Sequence, residues 1–439
     1  MSHIKNDFLV LAQTLAKVDA SFEPLVDTAA TQLKFQKLLE QSLFSPAPEV
    51  FAEIHNPNPI LFQQTALELN DNFAAIFSTL QRTATFLQHG ISVALDFSDL
   101  RAARSVIKSS HLQSVGPIGF MELFAAAPQI HTPKTPLHFT LAIDHLDVET
   151  YLDYMRHAPQ HVEFTVGITD AFAHALKYDG EVGLKHQRQS EDSRHVSAAI
   201  LFKKLVSAIT AGRVKRLIFT DNLRKLKMQS AMPVDTFLLP CGILAESGEL
   251  VANGTLNLKN ILTEWQGDPD AVHTILQNAV HFLDNLFERN FYFDEASRVI
   301  TKNNRRLNLQ LTHFESVVTS LYLQNEFRPF QKMIAGMIDA FFLELTKASA
   351  RLAQTRGGMH AAIHQPNQKT RHAQLFAAPQ IATGFTQEVA DVFFAAIQKH
   401  TKIPAPVFLN SPQADSHEWR DLLLKAHGHN RVVVQFDQR

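Results

Sequence analysis

The sequence predicts an α/β fold with a helical N-terminal region. Apolar residues at helical spacing fill residues 1–42, and helical and strand-like segments then alternate; internal repeats and linkers are absent. In the first region Phe8, Leu9, Leu11, Leu15 and Val18, then Leu33, Phe35, Leu38 and Leu39, recur at the spacing of one helix face. Residues 45–60 hold four prolines and are expected to be a loop. A helix over 72–88 follows between Asp71 and Gly90, then a strand at ISVALDF. After a Gly116-Pro117 turn come a helix over 119–127, a polar turn HTPKTP and a strand over 138–143 ending at Asp144-His145. A strand over 162–168 leads through Thr169-Asp170, suited to an N-cap, into a helix over 171–177. A helix over 197–211 precedes a strand over 216–220, with further helices near 271–289, 331–355 and 387–398 and a last strand over 431–436. The expected division is a helical cap over 1–60 and one α/β unit over 61–439.

Composition narrows the chemistry. The single cysteine, Cys241, excludes disulfide scaffolds and thiolate-rich zinc or iron–sulfur sites. A formal charge of -2 gives no basic field for nucleic acid, and the sequence shows no polybasic membrane patch or long apolar span. A cytoplasmic protein is expected. Only 16 glycines occur, against roughly 31 at average usage. Neither G-x-G-x-x-G nor the P-loop pattern is present, so the usual phosphate cradles are missing. Histidines are numerous, but His360 and His364 lack the glutamate of H-E-x-x-H, and His427 and His429 form no larger set, so no metal site is expected. Asp144-His145 reads as a structural hydrogen-bonding pair.

GPIGFMELFAAA at 116–127, LAIDHLDVETYL at 141–152 and VEFTVGITDAFAHAL at 162–176 resemble, in order and spacing, ribonucleotide reductase large subunits, especially the adenosylcobalamin-dependent class II. SPAPEV at 45–50, LELNDNFAAIFSTL at 67–80, LPCG at 239–242, NGTLNL at 253–258, AVHFLDNLFERNFYFDEA at 279–296 and the segment ending at Arg439 extend the resemblance over roughly 45–439. It implies a divergent, shortened homologue with a ten-stranded α/β barrel and an internal finger loop carrying Cys241. That residue would be the thiyl-radical cysteine, and adenosylcobalamin the implied cofactor.

The motif is altered where the chemistry is demanding. Ribonucleotide reduction needs an amide and a carboxylate beside the cysteine. Here those positions are Leu239 and Ile243, neither of which donates, accepts or titrates. The position of the first redox cysteine falls at Thr65 or its neighbour, and no cysteine remains for its partner or for a C-terminal shuttle. The resemblance leaves Ser45, Lys134, Thr383 and Gly384 as substrate-binding candidates. The expected protein has lost ribonucleotide reduction and acts as a binding, regulatory or interaction protein, taking a nucleotide or small molecule and pairing as a homodimer or with a partner subunit. The alternative is a repurposed radical enzyme using Cys241, with adenosylcobalamin or a partner-derived radical. The 33 phenylalanines are expected to fill the barrel interior.

Overall fold

The computed structural model describes residues 2–107, 111–127, 135–186, 189–221, 223–224, 236–265, 269–313 and 431–436, with scattered positions from 317 to 356. The N-terminal region is a pair of helices, α1 (Ser2–Asp19) and α2 (Thr28–Glu40), the second capped by the Asp27 carboxylate on the N–H groups of Ala29 and Ala30. The segment expected to be a loop instead contains a short strand, β1 (Phe44–Pro46), and a helical turn, α3 (Pro48–Ala52). Pro46 and Pro48 are tolerated because the first ends an edge strand and the second opens a helix.

The next stretch holds β2 (Gln64–Leu67), α4 (Phe73–Gln88), β3 (Ser92–Asp96), α5 (Gly116–Ala126), β4 (Leu137–Ala142), α6 (Val148–Tyr154), β5 (Val162–Ile168) and α7 (Asp170–Lys177). It continues with the hairpin β6 (Glu181–His186) and β7 (Gln189–Ser197), then α8 (Ala198–Thr210) and β8 (Val214–Phe219). Pro117 starts α5 rather than preceding it, since a first-turn N–H is unneeded in a helix. Gly116 has φ +73°, and a Cβ there would meet the Ala103 backbone nitrogen at 2.6 Å, so glycine is required. Thr169 caps α7 by accepting from the Phe172 N–H at 3.2 Å, as its sequence position suggested.

β2, β3, β4, β5 and β8 form a five-stranded parallel sheet in that order. The chain then makes β9 (Thr236–Leu238), β10 (Leu244–Glu246), β11 (Ala252–Asn257), α9 (Leu258–Trp265), α10 (Pro269–Arg289), α11 (Glu295–Asn304), β12 (Arg306–Thr312) and β13 (Arg431–Phe436). A second sheet runs β1-β11-β12-β13, with β1 antiparallel and the others parallel. A closed ten-stranded barrel is not what these strands display: two sheets are described, joined where the segment after β10 runs along the free edge of β2. There the Gly248 N–H donates to the Ala66 carbonyl and the Thr65 hydroxyl to that of Glu249. The helices expected over 331–355 and 387–398 lie largely or wholly outside the described residues.

Among the described residues, several phenylalanines pack on the helix-covered faces of the sheets. Phe97 packs edge-on against Phe124 of α5, Phe164 against Tyr151 of α6, and Phe44 against Phe282 of α10. These rings occupy the layers between sheets and helices, where each fully buried ring contributes about 2 kcal/mol of transfer free energy. On the other face of the first sheet stand Ala66, Ala94, His138 and Glu163, register partners across four strands. Thr165 and Arg216, also paired, extend that face to β8. In the second sheet Leu307, Leu309 and Leu311 are buried in the large core, whereas Asn253, Thr255 and Asn257 pair with Asn308, Gln310 and Thr312 on the opposite face. Both sheets therefore have one apolar, helix-covered face and one small or polar face.

The α1–α2 pair is tied to α10 by buried polar groups as well as by Phe35 against Phe282. Asp19 accepts from His281 at 2.7 Å, from Asn285 at 2.9 Å and from Arg356 at 2.7 Å. Burial opposes its ionisation, but the contacts with His281, Asn285 and Arg356 outweigh it, and the carboxyl is held below its ordinary value. A depressed folded-state pKa stabilises above the unfolded value and loses that contribution as pH falls through the folded one. Melting temperature is expected to fall on acidification below about pH 4, the free Asp range, and an Asp19→Asn variant to show a shallower fall. Parallel pH profiles for the two proteins would contradict this.

Candidate functional site

The segment expected to carry the finger is the β9–β10 hairpin. Its strands pair Leu238 with Leu244, and the Leu239 N–H donates to the Ile243 carbonyl at 2.7 Å. Gly242 donates to the Leu239 carbonyl at 2.9 Å and has φ +87°. A three-residue loop, Pro240-Cys241-Gly242, thus turns the chain with glycine at the left-handed position, the usual chemistry of such hairpins. A Gly242→Ala change should cost about 1–2 kcal/mol from that backbone conformation alone, read as a shift in the urea unfolding midpoint. An unchanged midpoint would contradict the assigned turn.

Leu239 and Ile243 are buried in a small apolar cluster with Ala66, Ala94, Ala245 and Val251, against which Phe237 and Cys241 pack. The two residues expected, from the resemblance, to replace the amide and carboxylate are thus apolar anchors of the hairpin. Ala66, rather than Thr65, shares the cluster beneath Cys241; Thr65 is spent on the Glu249 carbonyl at 3.0 Å. At the finger's base the Glu249 carboxylate takes a bidentate contact from Arg306 at 2.9 and 3.1 Å and the Glu246 N–H at 2.8 Å.

Cys241 is partly buried and lies within electrostatic reach of Arg216 on β8 and Arg306 on β12. Burial pushes its thiol up to about 11, although the Ile243 N–H and the two guanidinium groups act in the other direction. The sulfur is therefore a protonated thiol at neutral pH, poorly suited to nucleophilic attack or metal binding and suited to giving up a hydrogen atom. Alkylation by iodoacetamide at pH 8 is expected to run on the order of 10²-fold slower than for an ordinary cysteine, following the thiolate fraction. Mass spectrometry against free cysteine checks this, and an equal rate would contradict it.

The remaining sequence candidates are dispersed. Ser45 lies on β1 beside Thr255 and lines a cavity of about 170 Å³ with Phe8, Phe44, Phe51, Asn257 and Thr312; Cys241 is not among the lining residues. Lys134, Thr383, Gly384, His360, His364, His427 and His429 fall outside the described residues. Asp144 pairs with Lys185 at 3.3 Å, and His145 accepts from the Asp147 N–H and donates to the Leu100 carbonyl, a structural role. No metal-ligating cluster occurs among the described residues, and no described helix is long and apolar enough to cross a membrane. One grouping escaped the sequence reading: Ser92, His138 and Glu163, on three neighbouring strands, are linked through the imidazole.

Comparison with known proteins agrees with this architecture. Residues 64–237 match the ribonucleotide reductase barrel domain. The vitamin B12-dependent ribonucleoside-diphosphate reductase of Mycobacterium tuberculosis is 24% identical over 362 residues, covering 80% of this chain and 51% of that protein. The protein of the same name from Thermoplasma acidophilum is 21% identical over 415 residues, covering 87% and 53%. A ribonucleoside-diphosphate reductase subunit alpha of Chlamydia pneumoniae is 22% identical over 373 residues, covering 74% and 35%. The chain is thus similar, at low identity over most of its length, to vitamin B12-dependent ribonucleoside-diphosphate reductases, and residues 64–237 match the ribonucleotide reductase barrel domain. It spans about half the length of the vitamin B12-dependent relatives it matches.

Proposed function

We propose that this chain is a ribonucleotide reductase homologue that has lost ribonucleotide reduction and serves as a binding or regulatory protein. In this reading its two sheets are parts of the family's ten-stranded barrel, closed around the finger. The observation that carries it is the burial of Leu239 and Ile243 in one apolar cluster on either side of Cys241. Neither the amide nor the carboxylate of the reaction has a place there, and the single cysteine leaves no dithiol to supply two electrons. The polar faces, with Asn253 and Asn308 on one sheet and His138, Glu163 and Arg216 on the other, suit a small polar ligand better than a packed apolar core would. A nucleotide is the ligand the family suggests. A second copy or a partner subunit is the proposed macromolecular contact, tested by light scattering and by pull-down. The deciding assay incubates the purified chain with ribonucleoside diphosphates, adenosylcobalamin and dithiothreitol. No deoxyribonucleotide is expected, and sustained formation would overturn the proposal.

The protonated Cys241 thiol at the finger tip favours a second reading, a radical enzyme acting on another substrate. Two of the relatives are named as vitamin B12-dependent, and adenosylcobalamin is the form of that vitamin to test as generator; when bound it would supply the radical that takes the thiol hydrogen. This chain's own part is to hold a neutral S–H group at the tip of a fixed turn. Electron paramagnetic resonance with adenosylcobalamin, with Cys241→Ser as control, separates the readings. A Cys241-dependent radical signal supports the enzyme; a silent spectrum supports the binding protein.

A further inference from the structure

One register row on the polar face of the first sheet is uncommitted within the chain. Thr140 on β4 pairs with Thr165 on β5, and Thr165 pairs with Arg216 on β8, so the three residues stand on adjacent strands about 4.8 Å apart. Among the described residues neither threonine hydroxyl has a hydrogen-bond partner, although Thr165 is only 4% exposed. The Arg216 guanidinium likewise has no hydrogen bond or ion pair among them. Glu163, the carboxylate acting on it, is engaged by His138 at 3.3 Å instead. Arg306, the other cation acting on Cys241, is already matched by Glu249. Arg216 is therefore the uncompensated positive charge beside the thiol.

β8 is built to aim this arginine at the polar face. Phe164 pairs with Val214, but the next residue, Thr165, pairs with Arg216, which leaves Lys215 as the extra residue of a β-bulge. Strict alternation from Val214 would put Lys215 on the polar face and turn Arg216 toward the core layer that holds Phe164. A guanidinium taken partly out of water without a counter-ion is costly, so its retention behind a bulge calls for an anion from outside the chain. The row is also within reach of solvent. Arg216, Thr140 and Cys241 are half-buried rather than sealed, and Gly242 at the hairpin tip is exposed.

We propose that Thr140, Thr165 and Arg216 form an anion site that holds the carboxylate of a small organic acid beside the Cys241 thiol. The inference rests on the reading of the chain as a small-ligand binder and gives that ligand its chemical class. The guanidinium presents its N–H fork to both carboxylate oxygens, and the threonine hydroxyls donate to the lone pairs that remain. Charge selects a carboxylate over a phosphate ester. One uncompensated positive charge matches a monoanion, whereas a phosphate group of charge about −1.5 to −2 would set its surplus against Glu163, which acts on the same guanidinium.

The test sets two alkylating agents of similar size, iodoacetate and iodoacetamide, against Cys241 in the full chain, with the products read by mass spectrometry. In both reactions the thiolate sulfur bonds to the methylene carbon as iodide leaves, so the low thiolate fraction slows them alike and their ratio isolates the effect of the carboxylate. An ordinary thiolate favours the neutral amide. Expected here is the reverse, with iodoacetate faster, saturable and slowed by acetate. Arg216→Gln should lower the iodoacetate rate relative to the amide by about tenfold or more, and Thr165→Val, which keeps the shape and removes the hydroxyl, by a smaller factor. A native chain that favours iodoacetamide, or acetate that does not compete, would overturn the site with no variant needed. A preference for iodoacetate that survives in a folded Arg216→Gln would overturn the assignment to Arg216, and inorganic phosphate competing better than acetate would overturn the choice of carboxylate. Deoxyribonucleotide formation counts against the binding-protein reading instead, because the alkylation ratio is measured without nucleotide or adenosylcobalamin.

Discussion

Replacing Glu249 with alanine is expected to destabilise the chain by about 3–5 kcal/mol and to loosen the finger. Glu249 is wholly buried and Arg306 is 1% exposed, so the alanine leaves a guanidinium in the interior with neither water nor carboxylate around it. The same carboxylate accepts the Glu246 N–H, and the Glu249 carbonyl receives the Thr65 hydroxyl, so one residue ties β10, β2 and β12 together. Replacing both partners, Glu249→Leu with Arg306→Met, removes the charge together with its partner and should recover most of the loss, since isolated burial of one ion is the costly event. Urea unfolding of the two single variants and the double variant closes the cycle. The single variant should also alkylate faster at Cys241, because a mobile finger rehydrates its thiol. A loss below about 1 kcal/mol, the range of exposed pairs, would show that the bridge is not shielded from water.

Much of the first sheet was legible because its strands are apolar runs bounded by turn residues; the strand over 162–168 appears with the bounds its pattern suggested. The finger strands were not, since three residues each are too few to carry a period, and only LPCG marked the turn. β11 and β12 were missed although ANGTLN and RLNLQLT alternate, because their polar residues weigh against a strand until the polar face is known to lie inside. Composition counted the phenylalanines but had no means of assigning them to a face; among the described residues Phe97 and Phe44 lie on the helix-covered side and Phe237 packs against the Cys241 hairpin cluster. The Ser92–His138–Glu163 grouping had a signal that went unread. LHFTLA and VEFTVG carry a titratable residue at the same place before Phe-Thr, and in-register parallel pairing turns that shared offset into contact.

Restoring the finger motif with Leu239→Asn and Ile243→Glu is expected to yield no deoxyribonucleotide and to cost more stability than it returns in chemistry. Ile243 is 2% exposed and Leu239 fully buried, both against Ala66, Ala94 and Val251. A glutamate placed there has no partner among those side chains. It would stay protonated at neutral pH, its pKa raised by desolvation, and a protonated acid is not the base the reaction needs. Loss of the two aliphatic side chains removes about 2–5 kcal/mol of packing at the larger-to-smaller position alone, so unfolding below 37 °C is a realistic outcome for the pair. The single Leu239→Asn variant keeps the question open to assay if the double variant does not fold. Calorimetric melting with a labelled-ADP turnover assay reads both effects, and a folded double variant that made deoxyribonucleotide would mean that the interior supplies electrons and a base without the dithiol. The residues flanking Cys241 and the cluster under them are thus one unit: Leu239 and Ile243 pack against Ala66, so changing the turn's flanks alone sets polar groups against an apolar floor.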